Sequence, residues 1–138
     1  DVTITVLPNS SIVKKVYSQI LQPRRNSGIT SSQDRLFIDC STIDPVVSKE
    51  VSKTVLAGKK GQFVDAPMSG GVNGACTGSL TFMLGSPDHI VARVEKILLM
   101  MGKKVLHCGQ QGSGLSGKLA NNYLLAINNI ATAEAMRL

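Results

Sequence analysis

Apolar and polar positions recur along this chain with two different periods. Val2 to Leu7 (VTITVL) is rich in β-branched residues and stops at Pro8-Asn9, which predicts a strand closed by a turn. From Ile12 to Leu21 the period lengthens. Ile12, Val16 and Ile20 recur every four residues, which predicts a helix. Leu36 to Cys40 (LFIDC), Gln62 to Ala66 (QFVDA), Leu80 to Leu84 (LTFML) and Lys104 to Cys108 (KVLHC) predict further strands. Asp44 as a cap and Pro45 in the first turn open a second helix, with Val47, Val51 and Val55 on one face and Gly58 at its end. Pro87 opens a third, with Ile90, Val94, Ile97, Leu98 and Met101 in one stripe and Gly102 as its stop. From Ser116 or Gly117 to Leu138 the pattern predicts one long helix, striped by Leu119, Tyr123, Ile127 and Ile130. Gln22 to Asp34 and the four-glycine stretch Pro67 to Gly78 have loop composition.

Strand and helix alternate, so the expected fold class is α/β, a sheet covered by helices on both faces. The last helix carries Ala126, Ala131, Ala133 and Ala135, small residues suited to packing against other helices. A chain that opens at Asp1 directly into a strand reads as a piece of something longer.

Composition narrows the function classes. With 43% hydrophobic and 17% charged residues over 138 positions, the chain is globular rather than disordered. No apolar run approaches the ~20 residues of a membrane-spanning helix. The net charge of +6 comes from 15 Lys and Arg against 9 Asp and Glu. Those basic residues are scattered, and with 4% aromatics and no Trp there is little material for stacking bases, which argues against a nucleic-acid partner. A small anionic substrate or a phosphate-bearing cofactor suits the charge better. Three cysteines without a CxxC argue against a disulfide framework or a zinc site, and no metal-ligand cluster is visible.

Two glycine loops carry candidate chemistry. Gly112-Ser113-Gly114-Leu115-Ser116-Gly117 matches GxGxxG between a strand and a helix, the spacing of a dinucleotide-binding turn. With Lys118 the same stretch reads GxxxxGK, as in a phosphate-binding loop, although Leu119 stands where magnesium needs Ser or Thr. A third reading places Lys118 in the first turn of the long helix with Asn122 four residues on, on the same face. The positive helix end would lower the pKa of such a Lys and suit it to exchange a proton with a substrate hydroxyl. Ser69-Gly70-Gly71 offers backbone N–H groups and a hydroxyl, a cradle for a carboxylate.

These residues resemble a known family. Asp65-Ala66-Pro67-Met68-Ser69-Gly70-Gly71-Val72, followed by Gly78-Ser79-Leu80-Thr81-Phe82-Met83, resembles the substrate loop of the β-hydroxyacid dehydrogenases. Gly114 to Asn122 (GLSGKLANN) resembles that family's GxxxKxxNN catalytic segment. Ser41-Thr42-Ile43-Asp44-Pro45 looks most like its 3-hydroxyisobutyrate dehydrogenase branch. The resemblance runs from the first strand to the last residue.

It implies that residues 1–115 are the second half of a Rossmann-type NAD-binding domain. Residues 116–138 would begin the interdomain helix of an all-helical domain. The implied activity is NAD-dependent oxidation of a β-hydroxy acid, 3-hydroxyisobutyrate to methylmalonate semialdehyde in valine catabolism, by a homo-oligomer that is mitochondrial (matrix) if that branch holds and cytoplasmic otherwise. NADP stays open, because the residue that selects between the two cofactors lies upstream in this family. By resemblance, Lys118 is the general acid/base and Asn122 binds the substrate near the reacting carbon. Ser69, Gly70 and Gly71 hold the carboxylate, Leu7 and Pro8 border the cofactor, and Thr42 lies near the nicotinamide. Ile12 departs from the polar cofactor contact expected in this branch. Glyoxylate, succinic-semialdehyde and tartronate-semialdehyde reductases are the alternative within the family, and a non-catalytic binding module on the same fold is the alternative outside it. 6-Phosphogluconate dehydrogenases carry a His where this chain has Asn121, which argues against a sugar phosphate. The 138 residues alone are expected to be inactive.

Overall fold

The computed structural model describes residues 1–22 and 34–138. The loop expected over Gln22 to Asp34 therefore lies, between its two end residues, outside the described residues. Six strands and five helices follow one another among the rest: β1 (Val2–Thr5), α1 (Ser10–Ile20), β2 (Leu36–Asp39), α2 (Pro45–Ala57), β3 (Gln62–Asp65), β4 (Met68–Ser69), α3 (Gly71–Cys76), β5 (Leu80–Gly85), α4 (Asp88–Leu98), β6 (Gly102–Gly109) and α5 (Ser113–Ala135).

The sheet is mixed. β1, β2 and β3 run parallel, with Thr5, Asp39 and Asp65 in register across their carboxyl ends. β5 runs antiparallel to β3 and β4, and β6 runs parallel to β5 on its other side. β3 and β4 read as one strand against β5. Asp65 pairs with Gly85, the Met83 N–H donates to the Pro67 carbonyl, and Ser69 pairs with Thr81. Pro67 interrupts the strand because it has no N–H to add to the ladder.

Both faces of this sheet are buried, as the alternating pattern predicts. On one face Leu36, Ile38, Val64, Phe82 and Leu84 pack under Ile90, Val94 and Leu98 of α4. On the other, Phe37 and Phe63 pack with Val13 and Tyr17 of α1, Val51 and Val55 of α2, and Leu115 of α5. Period-2 alternation along β2 sends neighbouring residues to opposite cores.

Four stretches of the chain depart from the sequence pattern. The buried face of α1 is Val13 and Tyr17, one residue round from the predicted Ile12, Val16 and Ile20 stripe. Tyr17 decides this, since its ring meets Phe37 and Phe63 edge-on at 5.9 and 5.3 Å and its hydroxyl bonds Thr5. The expected loop from Pro67 to Gly78 holds β4 and the short α3 instead. Gly102 opens β6 rather than closing α4, which ends at Leu98. The long helix begins at Ser113, before the predicted start at Ser116 or Gly117. The cap at Asp44 is as predicted, its side chain accepting from the Val46 N–H at 2.8 Å.

Candidate functional site

The carboxyl ends of β1, β2 and β3 lie side by side, the edge where α/β sheets place ligands. Leu7 and Pro8 follow β1, and Ser41 and Thr42 follow β2. A short chain of hydrogen bonds ties these two loops together. The Leu7 N–H donates to Ser41 Oγ at 2.8 Å, and that hydroxyl donates to Asp39 Oδ1 at 2.6 Å. Thr5 Oγ1 donates to the same oxygen at 2.9 Å. Leu7, Pro8 and Thr42, named from sequence at distant positions, thus stand on one rim, with Pro8 and Thr42 exposed.

Asp39 itself is buried and its Oδ2 has no hydrogen-bond partner. Burial raises its carboxyl pKa, opposed in part by the bonds from Ser41 and Thr5. The neighbouring Cys40 thiol is pushed up to about 12 by burial and by the nearby Asp39 charge.

The β3–β4 strand carries the second part of the site past this rim. Alternation puts Val64, Ala66 and Met68 toward the α4 core. Asp65, Pro67 and Ser69 therefore face the other way, on the side where α5 packs. Ser69 lies four residues beyond Asp65, about 13 Å along the strand. After it the chain turns sharply at Gly70 and Gly71, whose φ angles are +133° and +60°, values that favour glycine.

Helix α5 lies along β5 on this same face. A Cβ at Gly114 would sit 2.1 Å from the Met83 carbonyl oxygen, so only glycine allows the helix this close. A Cβ at Gly117 would sit 3.6 Å from Cys108 Sγ and 4.0 Å from Met83 Sδ. The start of α5 is thus seated on β5 at Met83 and Gly85 and, three residues on, beside Cys108 of β6. Helical rise carries Lys118 about 6 Å and Asn122 about 12 Å past Gly114. Both are half-buried on a helix whose neighbouring positions are mostly exposed.

The helix start corrects two readings. Lys118 is the sixth residue of α5, in its second turn rather than at the first-turn position expected from the sequence. The GxGxxG at 112–117 does not offer its N–H groups to a phosphate. Asp65 occupies them: Oδ1 accepts from the Gly112 N–H at 2.5 Å and Oδ2 from the Leu115 N–H at 2.8 Å. A buried carboxylate there excludes both the dinucleotide and the phosphate-loop readings of this turn. Asp65 was given no role of its own in the sequence, where it is an acidic residue at the end of an apolar strand and the first of the stretch that resembles the substrate loop. Burial raises its pKa, opposed by the two N–H bonds and added to by the Asp39 charge.

Comparisons with known proteins bear on the family and the fold. Residues 1–109 match the family described as the NAD binding domain of 6-phosphogluconate dehydrogenase. The chain is 48% identical to the mitochondrial 3-hydroxyisobutyrate dehydrogenase of Rattus norvegicus and 44% identical to that of Drosophila melanogaster, in each case over its whole length. It spans only 40% of each of those relatives. A solved structure of the Mycobacterium tuberculosis 3-hydroxyisobutyrate dehydrogenase with L-serine superposes with a TM-score of 0.82 at 37% identity, covering 97% of this chain and 43% of that one. The family resemblance read from the motifs and the Rossmann-type α/β fold are both borne out.

Proposed function

Because this chain belongs to the family described as the NAD binding domain of 6-phosphogluconate dehydrogenase, we propose that it holds the substrate side of an NAD-dependent β-hydroxyacid dehydrogenase. The substrate assigned is 3-hydroxyisobutyrate, oxidised to methylmalonate semialdehyde in valine catabolism. What supports this reading is the β3–β4 register, which turns Ser69 to the sheet face on which α5, the helix of Lys118 and Asn122, packs.

In the proposed mechanism the substrate carboxylate rests on the N–H groups and hydroxyl of Ser69-Gly70-Gly71. Lys118 accepts the proton of the β-hydroxyl, and Asn122 hydrogen-bonds the substrate beside the reacting carbon. Such proton transfer contributes about 10²- to 10⁴-fold to turnover. The exposed Pro8 and Thr42, joined through Leu7 and Ser41, fit one edge of a nicotinamide cofactor. NAD held at that edge would supply the hydride acceptor that oxidation of the carbinol carbon requires. With NADP, the same residues would act in the same way.

Relatives named 3-hydroxyisobutyrate dehydrogenase support this substrate over the semialdehyde and glyoxylate alternatives, and Asn121 in place of a His argues against 6-phosphogluconate. L-Serine, named with the mycobacterial structure, is itself a β-hydroxy acid. Relatives named mitochondrial support a place in the matrix. A homo-oligomeric enzyme, and inactivity of these residues alone, are part of the same proposal.

The test is Lys118→Ala in the full-length enzyme. Turnover of 3-hydroxyisobutyrate should fall by about 10²-fold or more while NADH still binds. Near-normal turnover would overturn the assigned role.

A further inference from the structure

We infer that Asp65 is the positioning residue that sets Lys118 against the Ser69-Gly70-Gly71 turn. This rests on the proposed role of Lys118. Asp65 is wholly buried and sits where two parts of the site meet. Its own strand runs on through Pro67 into Ser69, so its backbone fixes the start of the substrate turn. Its side chain fixes the start of α5. Both carboxylate oxygens are used, one on the Gly112 N–H and the other on the Leu115 N–H, partners 47 and 50 residues away in the chain. Lys118 follows Leu115 by three residues, less than one turn.

The surroundings are shaped to admit this carboxylate. A Cβ at Gly85 would lie 2.4 Å from Asp65 Oδ1, and one at Gly114 would lie 2.9 Å from Oδ2. Gly112, the donor to Oδ1, has a φ of +94°, which aims its N–H inward before the helix begins. A helix cap on one side only would leave rotation of α5 about its axis free. Two bonds to two donors hold that rotation, and rotation is what points Lys118 toward or away from the substrate. A shift of about 1 Å at such a position can cost about 10²-fold in rate.

Asp65→Asn keeps the side-chain volume but presents an NH₂ to one of the two N–H donors. In the full-length enzyme it should lower kcat for 3-hydroxyisobutyrate about 10- to 100-fold, with NADH titration showing an unchanged number of binding sites. The decisive readout is the double variant with Lys118→Ala. If Asp65 acts through Lys118, the double variant is no slower than Lys118→Ala alone. Losses that multiply in the double variant, or normal kcat in Asp65→Asn, overturn the inference. Should Asp65→Asn fail to fold, Asp65→Ser retains one acceptor for the helix end and is carried through the same cycle. Normal turnover in Lys118→Ala overturns the proposed function itself, whereas a slow Lys118→Ala beside a normal Asp65→Asn overturns only the role given to Asp65.

Discussion

Asp39 and Asp65 occupy matching register positions on neighbouring strands, and both are buried with carboxyl pKa values raised chiefly by burial. A carboxyl whose pKa is higher folded than unfolded binds its proton more tightly in the native state. Its stabilising contribution is therefore complete at low pH and is lost as pH rises through the folded pKa. Asp39→Asn should accordingly flatten the fall in stability as pH rises above the ordinary carboxylate pKa of about 4. Urea midpoints measured across that rise on both proteins check it, and parallel curves would refute it. Gly114 gives a second residue-scale prediction. Gly114→Ala forces a methyl to within 2.1 Å of the Met83 carbonyl, so α5 must lift from β5. A loss of about 1–3 kcal/mol in stability is expected, read from thermal unfolding. The glycine at this position was visible in the sequence as part of a GxGxxG, but its reason was not. Spacing cannot distinguish a glycine that admits a phosphate from one that admits a strand.

Helices α2 and α4 match their sequence patterns because each buries one stripe against one sheet face, and a stripe is a local property. Leu98→Ala, at the fully buried end of the α4 stripe, should cost about 2–5 kcal/mol by denaturant unfolding. Asn9→Ala should cost about 1 kcal/mol by the same measurement, since the Asn9 side chain accepts from the Ile12 N–H at the start of α1. The phase of α1 was less legible. Its aliphatic residues alone point to Ile12, Val16 and Ile20, while the structure buries Tyr17, a residue whose hydroxyl needs the distant Thr5 as a partner. The β4 and α3 segments had no readable period. A two-residue strand is defined by its pairing with β5, not by its own side chains.

Taken as a whole, the molecule buries two cores and leaves one long helix largely uncovered. Beyond Leu115, α5 has no buried residue, and Tyr123 and Ile130 are 72% and 65% exposed. An exposed apolar stripe of this length binds hydrophobic dyes. The 138-residue chain should therefore enhance the fluorescence of such a dye, and a Tyr123→Lys, Ile130→Lys variant should lose much of that signal. Residue type and local period were enough to determine the α/β alternation and the two buried sheet faces. Those features depend on neighbours within a turn or two of chain. Tertiary structure alone decided that β5 runs antiparallel to β3, that β4 pairs with β5, and that Asp65 fills the glycine turn at 112–117. Each of these depends on which distant backbone groups become hydrogen-bond partners once the chain has folded back on itself, and no local pattern records that choice.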